Sequence, residues 1–147
     1  PFNPSAPPPS MQPDTPPSRP IALVTGSSRG IGRGIALGLA RAGYDVGIHY
    51  ARNEREAREV ERLARESGAR TACLGADLGS YAGVQSLFDG FLGAFPRLDL
   101  LVNNAGITKY LPLLEATEAL WDEITNLDWK GSYFCTQRAA QHMVNAG

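Results

Sequence analysis

Neither sign of charge prevails in this chain of 147 residues: 14 Lys and Arg stand against 15 Asp and Glu, a net charge of −1. A surface for nucleic acid or an anionic membrane needs a basic excess, so neither partner is expected. No apolar run approaches the roughly 18–20 residues of a membrane span, and the first residues carry no apolar signal-peptide core. Cysteine is scarce. Cys73 and Cys135 lie far apart in apolar segments and match no metal or redox spacing. They are expected to be reduced core thiols in a cytoplasmic protein without a bound metal. The length suits one domain or part of a larger one.

Residues 1–19 are a different material, dominated by Pro, Ser and small side chains with almost nothing to bury. A solvated, disordered or polyproline-like leader is expected there, with a proline-motif ligand as the alternative. Met11 is the first methionine, which suggests that translation begins there and that residues 1–10 lie upstream of the native start. A peptide covering those ten residues in the native protein would overturn that reading.

From residue 20 the pattern alternates between apolar runs of strand length and helical stretches. The organising segment is Thr25-Gly26-Ser27-Ser28-Arg29-Gly30-Ile31-Gly32, preceded by the run Ile21-Ala22-Leu23-Val24. A buried strand over 21–25, a glycine turn and a helix over 30–42 follow. A phosphate can sit on a helix N-terminus only where the backbone comes close, so side chains must be absent at the turn and where helix crosses strand. The spacing is Gly-x-x-x-Gly-x-Gly rather than the common Gly-x-Gly-x-x-Gly. In the helix, Ile31, Ile35 and Leu39 share a face, while Gly30, Gly34 and Gly38 form a strip expected to lie close to the sheet.

Further strands are expected at 46–50, 71–75 and 98–102. An exposed helix between residues 52 and 68 has a narrow stripe of Ala57, Val60 and Ala64, and Glu54–Arg58 and Glu61–Arg65 are paired at i,i+4 on a solvated face. A third helix covers 81–94, and from Glu118 onward the chain is expected to be helical, broken near residues 129–131. Buried strands alternating with helices imply an α/β, doubly wound parallel sheet, which binds ligands at the carboxyl ends of its strands where the strand order reverses. The glycine loop and Asn103-Asn104-Ala105-Gly106 should therefore face each other.

Four features fall at strand ends: the glycine loop, Tyr50-Ala51-Arg52, Asp77-Leu78 and the NNAG stretch. A dinucleotide would use all four, for pyrophosphate, adenosine ribose, adenine, and second ribose with nicotinamide. An NAD site commonly places an acid about 20 residues past the glycines. Here Arg52 holds that place and no acid lies between His49 and Asn53. An arginine there suits the 2′-phosphate of NADP, and Arg29 is a second cation facing it. NADP(H) is the expected cofactor.

TGSSRGIG, Asp77-Leu78 and NNAG, in this order, resemble the short-chain dehydrogenase/reductase family over residues 20–147, the N-terminal half of a Rossmann-type domain cut after the fourth strand and the following helix. The stretches GSSRGIGRGIA, NNAGIT and GSYFCTQRAA are most similar to 3-oxoacyl-[acyl-carrier-protein] reductases. The resemblance implies that Gly26, Ser28, Arg29, Gly30, Ile31 and Gly32 line the phosphate and adenosine end. Asp77 would accept from the adenine amino group with Leu78 beside the ring, and Asn104, Ala105 and Gly106 would pass along the cofactor.

Two departures stand out. The family's acid is a tyrosine with a lysine four residues on, helped by a serine on the preceding strand. None of Tyr44, Tyr50, Tyr81, Tyr110 and Tyr133 has such a lysine. Where the family usually has a catalytic asparagine, three residues before the glycine matching Gly131, this chain has Asp128. The implied activity is hydride transfer between nicotinamide and a small-molecule or acyl-carrier-bound carbonyl, in a full-length homotetramer. A 3-oxoacyl thioester is the first substrate and a sugar or polyol the second. The rival is a non-catalytic, truncated nucleotide-binding product, which the DNA beyond codon 147 would distinguish.

Overall fold

The computed structural model describes residues 19–145. Most of the expected leader, with Met11, lies outside them. Arg19, its last residue, is already tied to the fold: its guanidinium donates to the Ala40 carbonyl at 3.1 Å and the Tyr44 carbonyl at 3.2 Å.

Four strands, β1 (Ile21–Val24), β2 (Asp45–Tyr50), β3 (Thr71–Gly75) and β4 (Leu100–Val102), form one parallel sheet in the order β3-β2-β1-β4. The chain steps outward from β1 to β3, then crosses back to lay β4 on the other side of β1. That reversal opens a crevice between the exits of β1 and β4.

Side chains alternate across the strands, so each strand feeds both faces. On one face α1 (Gly30–Arg41) and α2 (Glu54–Glu66) bury Ala36, Ala40, Ala57, Val60 and Ala64 against Val24, Val46 and Ile48. On the other, α3 (Tyr81–Ala94) contributes Leu87, Phe88 and Phe91 to a core with Ile21, Leu23, Cys135 and Ala139. The two free thiols sit in these apolar surroundings; burial pushes Cys135 up to about 11, which keeps it protonated and inert.

After β4 the chain runs through a short 3-10 turn (Leu113–Glu115) into α4 (Glu118–Thr125) and α5 (Ser132–Asn145). The break expected at 129–131 is instead a wide π-helical turn over Asn126–Gly131 that keeps the helix continuous. Side-chain caps from Asn53, Ser80 and Thr117 close α2, α3 and α4.

Two packing expectations need correction. The buried face of α1 is Gly32, Ala36 and Ala40, with Ile31 78% exposed. A Cβ at Gly30, Gly34 or Gly38 would meet nothing within 4 Å, so that strip faces away from the sheet. The small residues make the contact because the helix lies too close to β1 for isoleucine. On α2 the charged face is not wholly solvated. Glu61 is buried, held by Arg58 at 3.1 Å, Arg65 at 2.8 Å and the Thr71 hydroxyl at 3.4 Å.

Candidate dinucleotide site

Thr25 leaves β1 buried and joins it to the exit of β4. Its hydroxyl accepts from the amides of Asn104 at 2.9 Å and Ala105 at 3.0 Å, and its own amide donates to the Val102 carbonyl at 3.0 Å. From the opposite side, the Asn104 side-chain amide donates to the carbonyls of Thr25 and Gly26, both at 3.0 Å. With the Thr25 hydroxyl also donating to the Val102 carbonyl at 3.3 Å, the two loops that face each other are laced together by six hydrogen bonds.

This lacing leaves no room for side chains. Gly26 has φ +63°, and a Cβ on it would stand 2.8 Å from the Ala105 Cα. A Cβ on Gly32 would stand 2.4 Å from both the Gly26 carbonyl oxygen and the Asn104 amide nitrogen. Close approach requires both glycines, and at Gly26 the left-handed φ requires one as well.

The helix that begins here lacks the side-chain cap that α2, α3 and α4 have. Arg29, at the N-cap of α1, is extended (φ −152°, ψ 176°) and makes no side-chain cap, and the first turn contains no acid. The first N–H groups of α1 and the positive end of its dipole are therefore left for an anion at the mouth of the crevice. Arg29 and Arg52 are exposed, and among the described residues neither makes an ion pair. Arg58, Arg62 and Arg65 on the neighbouring α2 are all paired. A glycine bed, an uncapped helix start and two uncommitted cations fit a nucleotide that carries several phosphates.

At the exit of β3, the exposed Asp77 carboxylate accepts from the Gly79 amide at 3.0 Å, which fixes its orientation. Leu78 departs from expectation. The whole residue is 3% exposed, with its side chain in the core beside Val84 and Leu87 and its carbonyl against Gly131, so it does not line the surface where a ring would lie. Tyr50 is half-buried, its ring lying over Gly75, where a Cβ would come within 2.8 Å. Ile31 stands free at the rim and Ser28 is half-buried in the loop.

Asp128 lies within the π-helical turn, and one of its oxygens accepts from the Ile107 amide at 2.9 Å. A Cβ on Gly106 would stand 3.2 Å from that oxygen. The wide turn carries the carboxylate to the NNAG loop, so in this structure the side chain holds backbone. Asn103 anchors the same loop to α5 through the Thr136 hydroxyl at 2.9 Å.

Sequence reasoning missed two contributors. One is the Thr25 hydroxyl. The other is His49, 1% exposed at the end of β2, whose Nδ1 accepts from the Gly26 amide at 2.9 Å and whose Nε2 lies 3.0 Å from the Ala76 carbonyl. Thr25 was detectable as the hydroxyl residue closing a buried strand; the ring of His49 works through partners on two other strands.

Known proteins share this sequence pattern and fold. The family described as short chain dehydrogenase matches residues 20–147. The 2-dehydro-3-deoxy-D-gluconate 5-dehydrogenase of Escherichia coli is 40% identical over 128 residues, 86% of this chain and 49% of that protein. The 3-oxoacyl-[acyl-carrier-protein] reductase FabG of Staphylococcus aureus is 38% identical over 84% of this chain and 50% of its own length. Among solved structures, the landomycin C-6 ketoreductase LanV with bound NADP superposes with a TM-score of 0.79 at 38% identity, covering 84% of this chain and 53% of LanV. The chain spans about half the length of the curated relatives it matches. The family match covers the described fold from β1 onward, and the chain belongs to the short-chain dehydrogenase family of oxidoreductases.

Proposed function

We propose that the chain is the cofactor-binding half of an NADP(H)-dependent carbonyl reductase or alcohol dehydrogenase. When bound, the nicotinamide supplies or takes a hydride at a carbonyl carbon. The chain's own residues bind and orient it. The α1 N-terminus and the glycine bed would take the pyrophosphate, Asp77 the adenine amino group, and Asn104, Ala105 and Gly106 the run toward the nicotinamide. The protonating tyrosine and its lysine are not among these 147 residues, so on this reading the chain alone binds cofactor without turning over substrate.

The observation that carries NADP over NAD is the pair Arg29 and Arg52, exposed and free of carboxylate partners, with no acid at the end of β2. The bound NADP of LanV supports the same choice. Arg52→Asp is expected to weaken NADPH at least about tenfold more than NADH, the scale of losing a bidentate phosphate contact. Equal losses in a fluorescence titration would overturn the assignment.

A 3-oxoacyl-carrier thioester remains the first substrate, as the name of the S. aureus relative suggests. A sugar acid or polyol is the second, favoured by the name of the E. coli relative. Among the described residues no helix is long and apolar enough to cross a membrane, in keeping with the proposed cytoplasmic setting. Trp121, Trp129 and Tyr133 are exposed along α4 to α5. That apolar face supports homotetramer formation by the full-length protein.

A further inference from the structure

His49 is a buried titratable group that the dinucleotide reading leaves unused, and its ring touches the glycine loop directly. Its backbone amide donates to the Ser27 hydroxyl at 3.0 Å, and its carbonyl accepts from the Ser27 amide at 2.9 Å. These two bonds carry the β1–β2 pairing one step past the strand end, into the phosphate loop itself. The ring then bridges further. Gly26 N–H is a donor, so Nδ1 must be the bare nitrogen; the proton sits on Nε2 and donates to the Ala76 carbonyl. One neutral imidazole thus spans the loop after β1 and the segment leading to Asp77 after β3.

We propose that His49 is the positioning residue of the phosphate loop, and that adding a proton at Nδ1 releases the loop by setting two N–H donors against each other. The proposal rests on the dinucleotide reading only for its effect on cofactor binding; the effect on the loop stands apart from it. Around the ring, the glycine loop offers the Gly26 amide and the Ser27 hydroxyl. The exit of β3 offers the Ala76 carbonyl and the Asp77 carboxylate. Burial lowers the histidine below its ordinary 6.5, with the Ala76 carbonyl and the Asp77 charge pulling more weakly upward. The sign follows from the lowered value: above 6.5 the ring is neutral, folded or unfolded, and the clamp is intact. As pH falls from there through the folded value, the unfolded chain binds the proton first, stability drops, and the loop is freed.

The test uses the full chain labelled with 15N, between roughly pH 7.5 and pH 5. His49 and His142 are its two histidines, so the ring signals are easily told apart. At the upper pH, His49 should show a bare Nδ1 and a protonated Nε2. As the ring titrates, exchange of the Gly26 and Ser27 amides, corrected for intrinsic rates, should speed up at least tenfold, and the Kd for NADPH should rise at least tenfold. In His49→Asn the side-chain oxygen replaces Nδ1 as acceptor and cannot titrate, so the pH dependence of amide exchange should vanish, and that of the Kd should shrink to what the 2′-phosphate's own protonation at about pH 6 leaves. The opposite tautomer, or amide protection that ignores the titration of the ring, overturns the proposal in the wild-type chain alone, even if the variant fails to fold. A His49→Asn variant that keeps the wild-type pH profile does the same. If NADPH binds at no pH while the amides still follow His49, the positioning role stands and the dinucleotide reading falls.

Discussion

At the amino edge of the sheet, Asp45 is 1% exposed between Arg19 at 3.2 Å and Arg70 at 2.6 Å, and it also accepts from the Arg70 amide at 2.9 Å. Nearby, Asp99 accepts from the Ile21 amide at 2.7 Å, pinning the entry of β1. At the carboxyl edge, Arg29 and Arg52 face solvent with no carboxylate beside them. The same side chains serve opposite ends. Where acid and base meet, the chain is fastened and nothing remains for a ligand. Where the bases stand alone beside an uncapped helix, charge is left over for something that binds. Residue type does not separate stability from recognition in this molecule; pairing does.

That contrast can be broken at either edge. The largest effect is expected from Gly26→Ala, which combines a left-handed φ with a backbone contact that cannot yield. It should cost about 3 kcal/mol of stability in chemical denaturation and weaken NADPH about 100-fold. Asp45→Ala should cost about 2 kcal/mol, below the figure for a fully buried pair because the arginines can reach water, and leave the NADPH Kd of the folded chain unchanged. A shift in both would erase the division between the edges. Thr25→Val keeps the shape but removes the acceptor of two amides, and should cost about 1.5 kcal/mol in the same measurement. The smallest effect is expected from Asp128→Asn, because an amide oxygen can still accept from Ile107; stability should move by less than about 0.5 kcal/mol. A tenfold loss of rate in the proposed full-length enzyme would show that the charge itself is used.

The elements could be read because their signals are local. Thr71–Gly75 and Tyr81–Ala94 fall where the apolar pattern places them. The facing of the glycine loop and NNAG followed from the order of strands and helices. The face of α1 could not be read this way. Ile31, Ile35 and Leu39 form the more apolar row, yet the row one residue on, Gly32, Ala36 and Ala40, is buried because the helix approaches the sheet too closely for larger side chains. The amino-edge network and His49 were hidden for another reason. Each acts through residues more than 20 positions away, and nothing in a local window records that a histidine will meet a glycine amide.

The π-helical turn at Asn126–Gly131 has a consequence for chain length. A π turn spends one residue more than an α turn, and one residue turns every later side chain by about 100°. Gly131, Cys135 and Ala139 meet the core at that setting, while Trp129 and Tyr133 stay outside. Removing one residue from this turn would lift the Asp128 carboxylate from the Ile107 amide and put Ser132, Thr136 and Ala140 where Gly131, Cys135 and Ala139 now meet the core. One position of length, rather than any single side chain, decides which surface this helix shows.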